Sequence, residues 1–214
     1  MRILLLPLLF FSLGALIVFF VGPALEFPES YADFLTWLES FEQWAWLAGS
    51  LMIIGDAVLP LPSDPTIFSF GLLYGGLLGG FIGGTAATIA GLLGYGLARL
   101  LGERGALFLV GEKDLGKTRS FYDSWGFAAV ALGRAIGGPA EYLVVVAGLT
   151  HMPFVKVLSA ILTGAYSAAF CISFLGAYSR INPILAVLLA IALVLSLMGL
   201  FKLILRRHES RLLQ

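Results

Sequence analysis

The chain has 214 residues, 59% hydrophobic and only 12% charged, with no net charge; a soluble domain carries about 25% charged residues. Several apolar runs reach about 20 residues, the length needed to cross a hydrocarbon core of roughly 30 Å. An ordinary soluble domain is therefore excluded, and the expected class is an all-α polytopic membrane protein.

Residues 3–22 (ILLLPLLFFSLGALIVFFVG) read as a retained membrane helix. The run is long for a signal-peptide core, and no A-x-A cleavage site follows it. Residues 23–43 carry five acids and no Lys or Arg. Within them YADFLTWLESFEQW places Phe34, Trp37, Leu38 and Phe41 at helical spacing. That suits an amphipathic helix lying in the interface, where Trp and Phe favour the boundary.

Residues 45–59 are apolar but stop at Pro60-Leu61-Pro62. About 15 residues of helix reach roughly 22 Å, short of a full crossing. A second apolar stretch begins at 66 and runs to Arg99. The charged segment 99–119 is expected to be a loop. A third apolar stretch, 124–150, is broken at Gly137-Gly138-Pro139. Residues 154–178 and 184–205 read as complete spans joined by a short turn, and the tail RRHESRLLQ is basic.

Lys and Arg favour the cytoplasmic side. The basic segment 99–119 and the tail then lie inside, with both termini cytoplasmic, and the acidic 23–43 lies outside. Crossings at 3–22, 76–98, 154–178 and 184–205 satisfy every charged segment on one condition. The broken stretches, about 45–75 and 121–152, must each enter and leave on the same face, one from outside and one from inside. Of the 13 Lys and Arg, all but Arg134 and Arg180 then sit at the inner edge.

The two broken stretches also match in sequence. PSDPTIFSFG (62–71) and PAEYLVVVAG (139–148) each read Pro, small, acid, six apolar or small residues, Gly. A buried charge precedes each, Asp56 in the first and Arg134 in the second. The expected architecture is two opposed re-entrant helical hairpins in an inverted repeat, a pattern that marks a transporter's binding region. Three parts follow: 1–44, a transmembrane helix and an interfacial helix; 45–180, the transport core; and 181–214, a last helix and basic tail.

The breaks at Pro60, Pro62, Pro65, Gly137 and Pro139 set the expected chemistry. Proline is tolerated in a helix's first turn, with Ser63 or Asp64, and Gly138, as the expected N-caps. Each half-helix start offers free N–H groups and a positive dipole end that lipid tails cannot satisfy. Such ends bind anions, so Ser63, Gly138 and Arg134 form the expected phosphate seat. Arg134 either binds substrate or bridges Asp56, Asp64 or Glu141. Asp64 and Glu141 either stabilise half-helix starts or exchange protons, and Asp56 has no capping role in view. The glycines at 71, 75, 79 and 83, with 76, 80 and 84 alongside, are expected to allow close helix packing. Tyr95, Tyr142 and Tyr166 either line a cavity or, as is more usual for tyrosine, are core or interfacial, and His151 and Cys171 are expected to be bystanders.

No enzyme signature appears. The chain has no HExxH and no GxxxxGK[ST], and GYGLAR (94–99) fails the dinucleotide pattern at its last position. A single cysteine excludes an internal disulfide and a cysteine-based zinc site. The expectation is a non-enzyme with no cofactor, no metal and no nucleic-acid partner.

LPLPSD, GYGLARLLGERG and FYDSWGFAAVALGRAIGGPAEYLVVVAGLTHMPF together resemble the DedA family, whose members carry the VTT (SNARE-associated Golgi protein) domain. The likeness covers roughly residues 45–180. It rests most on Gly133-Arg134, Ala147-Gly148 and Met152, with Asp56, Pro60, Pro62, Ser63 and Asp64 in the first half. The resemblance implies opposed re-entrant hairpins and movement of lipids between leaflets. In bacteria that means recycling undecaprenyl phosphate or flipping phospholipids, with proton coupling proposed; eukaryotic relatives scramble phospholipids. Two departures stand out. The family's second arginine, six residues after the first, is Ala140 here. Its proline, three residues after the first arginine, is Gly137, and Glu141 follows where a small polar residue is common. The expected function is a lipid translocase of the bacterial inner membrane. Its substrate would be a phospholipid or polyprenyl phosphate, with protons as a further partner. The alternatives are a secondary transporter of a small solute and a non-transporting scaffold.

Overall fold

The computed structural model describes residues 30–182 apart from 58, 60, 110, 111, 137–139 and 180, together with 184 and 188. The expected span at 3–22, that at 184–205 apart from residues 184 and 188, the basic tail, Pro60, Gly137, Gly138 and Pro139 lie outside the described residues. Among the described residues every regular element is helical.

Helix α1, Tyr31–Glu39, starts at Ser30, whose Oγ accepts from the Asp33 N–H at 3.2 Å. Phe34 and Leu38, four apart, form its buried stripe, while Trp37 and Phe41 remain exposed and pack edge-to-face with each other. The helix is amphipathic, as its spacing requires. A short 3₁₀ turn, Glu42–Trp44, leads into α2, Ala45–Gly55.

The stretch Ser63–Leu109, α3, is helical but broken at Gly75 (φ 81°, ψ 163°) and Gly102 (φ 57°, ψ −148°). Only glycine adopts the Gly75 conformation without a steric penalty. The break reverses the chain. A Cβ on Gly79 would meet the Phe70 backbone at 2.6 Å, and one on Gly83 would meet Ile67 at 3.0 Å. Residues 63–74, the short limb, therefore run antiparallel to 76–101, the long limb. The short limb also pairs antiparallel with α2, where Gly49 faces Thr66 and Phe70 and Gly55 faces Leu61. At 1.5 Å per residue, α2 and the short limb are about 16–18 Å long and the long limb about 39 Å.

The charged segment expected as a loop is largely helical. Residues 103–109 continue α3, and α4 starts at Glu112 and runs to Ile136. The segment holds no proline to stop a helix, so composition alone marked it as a loop. Helix α5 is Ala140–Leu149 and α6 is Phe154–Ser179. Segments within 63–102 and 154–179 are long and apolar enough to cross a membrane.

The most extensive packing joins α3 to α6, and the glycines shape it from two faces. Gly76, Gly80 and Gly84 lie against Phe174, Phe170 and Tyr166, while Gly79 and Gly83 lie against the short limb. Gly71 abuts the Ser173 carbonyl and Gly176 the Phe68 carbonyl, contacts that leave no room for a Cβ. Helix α4 lies along α6, with Lys156 Nζ donating to the Asp123 carbonyl at 2.7 Å and Gly164 pressed on the Ala131 carbonyl.

Candidate functional site

The link between α2 and the short limb is organised by Asp56. One carboxylate oxygen accepts from the Leu61 N–H at 2.8 Å and the other from Ser63 Oγ at 2.6 Å. Asp56 thus closes the loop 56–63 across two charge-assisted bonds, a structural role that its sequence context did not reveal. Ser63 is not the N-cap that the sequence suggests. The helix starts at Ser63 itself, with Thr66 N–H bonded to the Pro62 carbonyl, and the Ser63 hydroxyl is spent on Asp56. Ser63 and Asp64 are therefore first-turn residues, and Pro65 falls third in the helix, where a missing N–H costs little.

Arg134 lies in the last turn of α4 and is only 8% exposed. Its Nη2 donates to the Ala87 carbonyl of the long limb at 2.9 Å. Two glycines missed by the sequence reasoning make room for it. A Cβ on Gly91 would sit 3.3 Å from Arg134 Nη1, and one on Gly164 would sit 2.8 Å from the Arg134 Cβ. Gly91 is four residues after Ala87, next to that carbonyl on the same helix face, so its missing side chain opens the carbonyl to the guanidinium. The clue was present as a glycine in an apolar run, but nothing local marks which glycine faces a charge.

Ala87 fixes the height of the site. It lies about 16 Å along the long limb from Gly76 and about 21 Å from Leu101. Phe70 packs beside Gly79 and Ile67 beside Gly83, so the same antiparallel register carries Asp64 to the level of Ala87. Arg134 lies within electrostatic range of both Asp56 and Asp64, and the two carboxylates lie within range of each other. The fold therefore brings together three of the residues singled out from sequence. They come from two different helix pairs and meet near the middle of the long limb. Asp64 is exposed at the protein surface and, among the described residues, has no hydrogen-bond partner. Glu141 is the second residue of α5; its side chain lies outside the described residues, as do Gly137, Gly138 and Pro139.

The tyrosines sit elsewhere. Tyr95 is buried and donates to the Met152 carbonyl at 2.7 Å. Tyr166 shares a 2.8 Å hydrogen bond with Thr85, and Tyr142 is half-buried on α5. His151 has a local structural part. It holds a left-handed backbone (φ 58°) at the turn between α5 and α6, a conformation uncommon outside glycine. Cys171 is half-buried in α6. Among the described residues no His, Cys, Asp and Glu cluster could hold a metal ion.

The VTT domain family matches residues 60–178, more than half of the chain and the part that holds α3 to α6. No curated protein and no solved structure matches the chain. The matched region contains Ser63, Asp64 and Arg134, and its apolar helices are those of a membrane protein. The chain belongs to the DedA family, whose domain this is.

Proposed function

We propose that the protein is a lipid translocase of the bacterial inner membrane, moving a phosphate-bearing headgroup past Arg134 while the acyl tails stay in the bilayer. In this reading α2 with the short limb, and α4 with α5, are re-entrant hairpins that enter from opposite faces. Each of α2, the short limb and α5 is about half the length needed to cross. The long limb and α6 are the crossings that follow them.

The two halves act as an inverted repeat. Asp56 and Arg134 are 78 positions apart, and so are the starts of the long limb and α6. Packing supports the same pairing. Gly71 abuts the Ser173 carbonyl and lies by Gly176, while Gly148 lies 2.6 Å from the Tyr95 carbonyl and 2.8 Å from the Ala98 Cβ, measured from an added Cβ. Each half's returning limb thus meets the other half's crossing helix at corresponding residues.

The observation that carries the lipid reading is the exposed Asp64 within electrostatic range of the buried Arg134, level with the middle of the long limb. An exposed carboxylate at that depth suits a headgroup whose tails remain outside; a small solute is better served by an enclosed cavity. The charge balance narrows the class. The exposed Asp64 stands within range of the Arg134 guanidinium, so a zwitterionic headgroup, with phosphate on Arg134 and ammonium toward Asp64, is matched better than a polyprenyl phosphate. Protons exchanging on the acids are a further expected partner. Both termini are taken as cytoplasmic.

The test is reconstitution in liposomes with fluorescent phosphatidylethanolamine and, separately, a labelled polyprenyl phosphate, with and without a pH gradient. Rapid exchange of the zwitterionic lipid that collapses in Arg134→Gln supports the proposal. Equal exchange by wild type and Arg134→Gln overturns it. One observation favours a scaffold instead, namely the Arg134 bond to the Ala87 carbonyl, which ties α4 to α3 whether or not a lipid moves. Charge reversal, Arg134→Glu, that leaves folding and leaflet exchange unaltered would select that reading.

A further inference from the structure

The two turns that join a returning limb to a crossing helix correspond in the proposed repeat, yet they are fastened differently. At the inner turn, the Met152 carbonyl accepts from Tyr95 OH at 2.7 Å and from Arg99 Nη1 at 3.2 Å. Arg99 also donates to the Tyr95 hydroxyl and lies over the Tyr95 ring at 5.6 Å. Arg99 further places a cation near the C-terminal end of α5, where the helix dipole favours it. The long limb of the first half therefore clamps the turn of the second.

At the outer turn, around Gly75, the position corresponding to Tyr95 is Ser173. It is fully buried beneath the turn, with its Oγ 2.5 Å from where a Gly79 Cβ would stand. Among the described residues the Ser173 hydroxyl has no hydrogen-bond partner. A serine side chain is too short to reach across as the tyrosine does. Backbone packs closer at Gly71 and Gly176 than at Gly148, but this packing supplies neither turn with a hydrogen bond. The Tyr31–Ser69 hydrogen bond ties the short limb to α1 and not to a crossing helix.

We infer that Tyr95 and Arg99 are a latch on the inner hairpin, and that the structure is the state in which the inner hairpin is held while the outer one is the limb free to move. The inference rests on the inverted-repeat reading but not on any lipid being moved. A latch of this kind makes the two faces inequivalent: opening begins at the outer face, and release of the Met152 carbonyl is the event that frees the inner one.

Hydrogen–deuterium exchange of the full chain in lipid nanodiscs tests this without a transport assay. The reporter amides are those of Thr150, His151 and Met152, which close the inner turn onto Val146, Gly148 and Ala147. In wild type, residues 66–79 should exchange at least about fivefold faster than 147–154, the worth of one net hydrogen bond. Tyr95→Phe keeps the ring beside Phe154 and should raise exchange at 147–154 about fivefold with 66–79 unchanged. Arg99→Gln is the second variant, should Tyr95→Phe fold poorly. Uniform protection of both turns in wild type, or a rise that spreads equally to both in the variants, overturns the latch. If the latch result holds while liposomes show no leaflet exchange, the translocase reading fails and the latch stands.

Discussion

The end of α2 and the end of α4 carry a charge of each half, half-buried Asp56 and buried Arg134, and they use them in opposite ways. Asp56 turns back on its own loop, with both oxygens bonded to residues at most seven positions away. Arg134 reaches out to a carbonyl 47 positions earlier, on a helix of the other half. The first tip is thus self-contained, whereas the second is completed by its neighbour. A charge that closes its own loop is spent on structure. One held in a socket made by other helices is kept in place by the whole bundle, which is how a binding group is preorganised.

The largest effects should come from the packing that both halves share. Gly71→Val forces a side chain into the Ser173 carbonyl, and Gly148→Val does the same at the Tyr95 carbonyl. Backbone cannot yield as a flexible side chain does, so each should cost about 3 kcal/mol or more, read as lost folded yield and a lowered melting temperature in detergent. If one substitution is harmless while the other unfolds the protein, the equivalence of the halves is broken.

Next come the charges. Arg134→Gln removes a charged donor from a buried carbonyl, worth about 1.5–3 kcal/mol, and should reduce leaflet exchange by tenfold or more. Gly91→Ala sharpens the point without touching the arginine. A methyl 3.3 Å from Nη1 displaces the guanidinium by a few tenths of an ångström. Exchange should fall while the melting temperature moves by less than in Arg134→Gln. At the other tip, Asp56→Asn and Ser63→Ala should each cost about 1–2 kcal/mol. Because they share one hydrogen bond, the double variant should cost less than the sum. Additive costs would mean that Asp56 acts through something other than its own loop.

Much of this organisation was legible in the sequence. The breaks at 60–65 and 137–139, the repeated Pro-small-acid-x6-Gly pattern and the isolated Arg134 mark the short helices and the charges that meet at Ala87. What stayed hidden depends on pairing across the bundle. Gly75 sits in a ladder of glycines, so its role as the reversal point emerges only when Ile67 is found against Gly83. The N-cap expectation failed because the helix begins one residue early, at Ser63, with the Pro62 carbonyl accepting its first bond, and because Asp56 takes the serine hydroxyl. No glycine stands at the turn position that His151 holds, although histidine enters the left-handed region more readily than most side chains. The Gly91 and Gly164 socket is invisible locally, since a glycine's neighbours are set by tertiary contacts.

The smallest expected effect is also the most discriminating for the two turns. Ser173→Ala deletes a buried hydroxyl that has no hydrogen-bond partner among the described residues. Removing an unsatisfied buried group relieves its desolvation cost, whereas removing a bonded one forfeits about 1 kcal/mol. The variant should therefore be neutral or more stable, by up to about 1 kcal/mol, a shift of roughly 2–4 °C for a chain of this size. Tyr95→Phe, at the corresponding position, loses a bond to the Met152 carbonyl and should be destabilised by about the same amount. The opposite signs are the signature of one fastened turn and one loose turn. A loss of stability in Ser173→Ala equal to that in Tyr95→Phe would show that both hydroxyls hold their turns, and the two faces would then be alike.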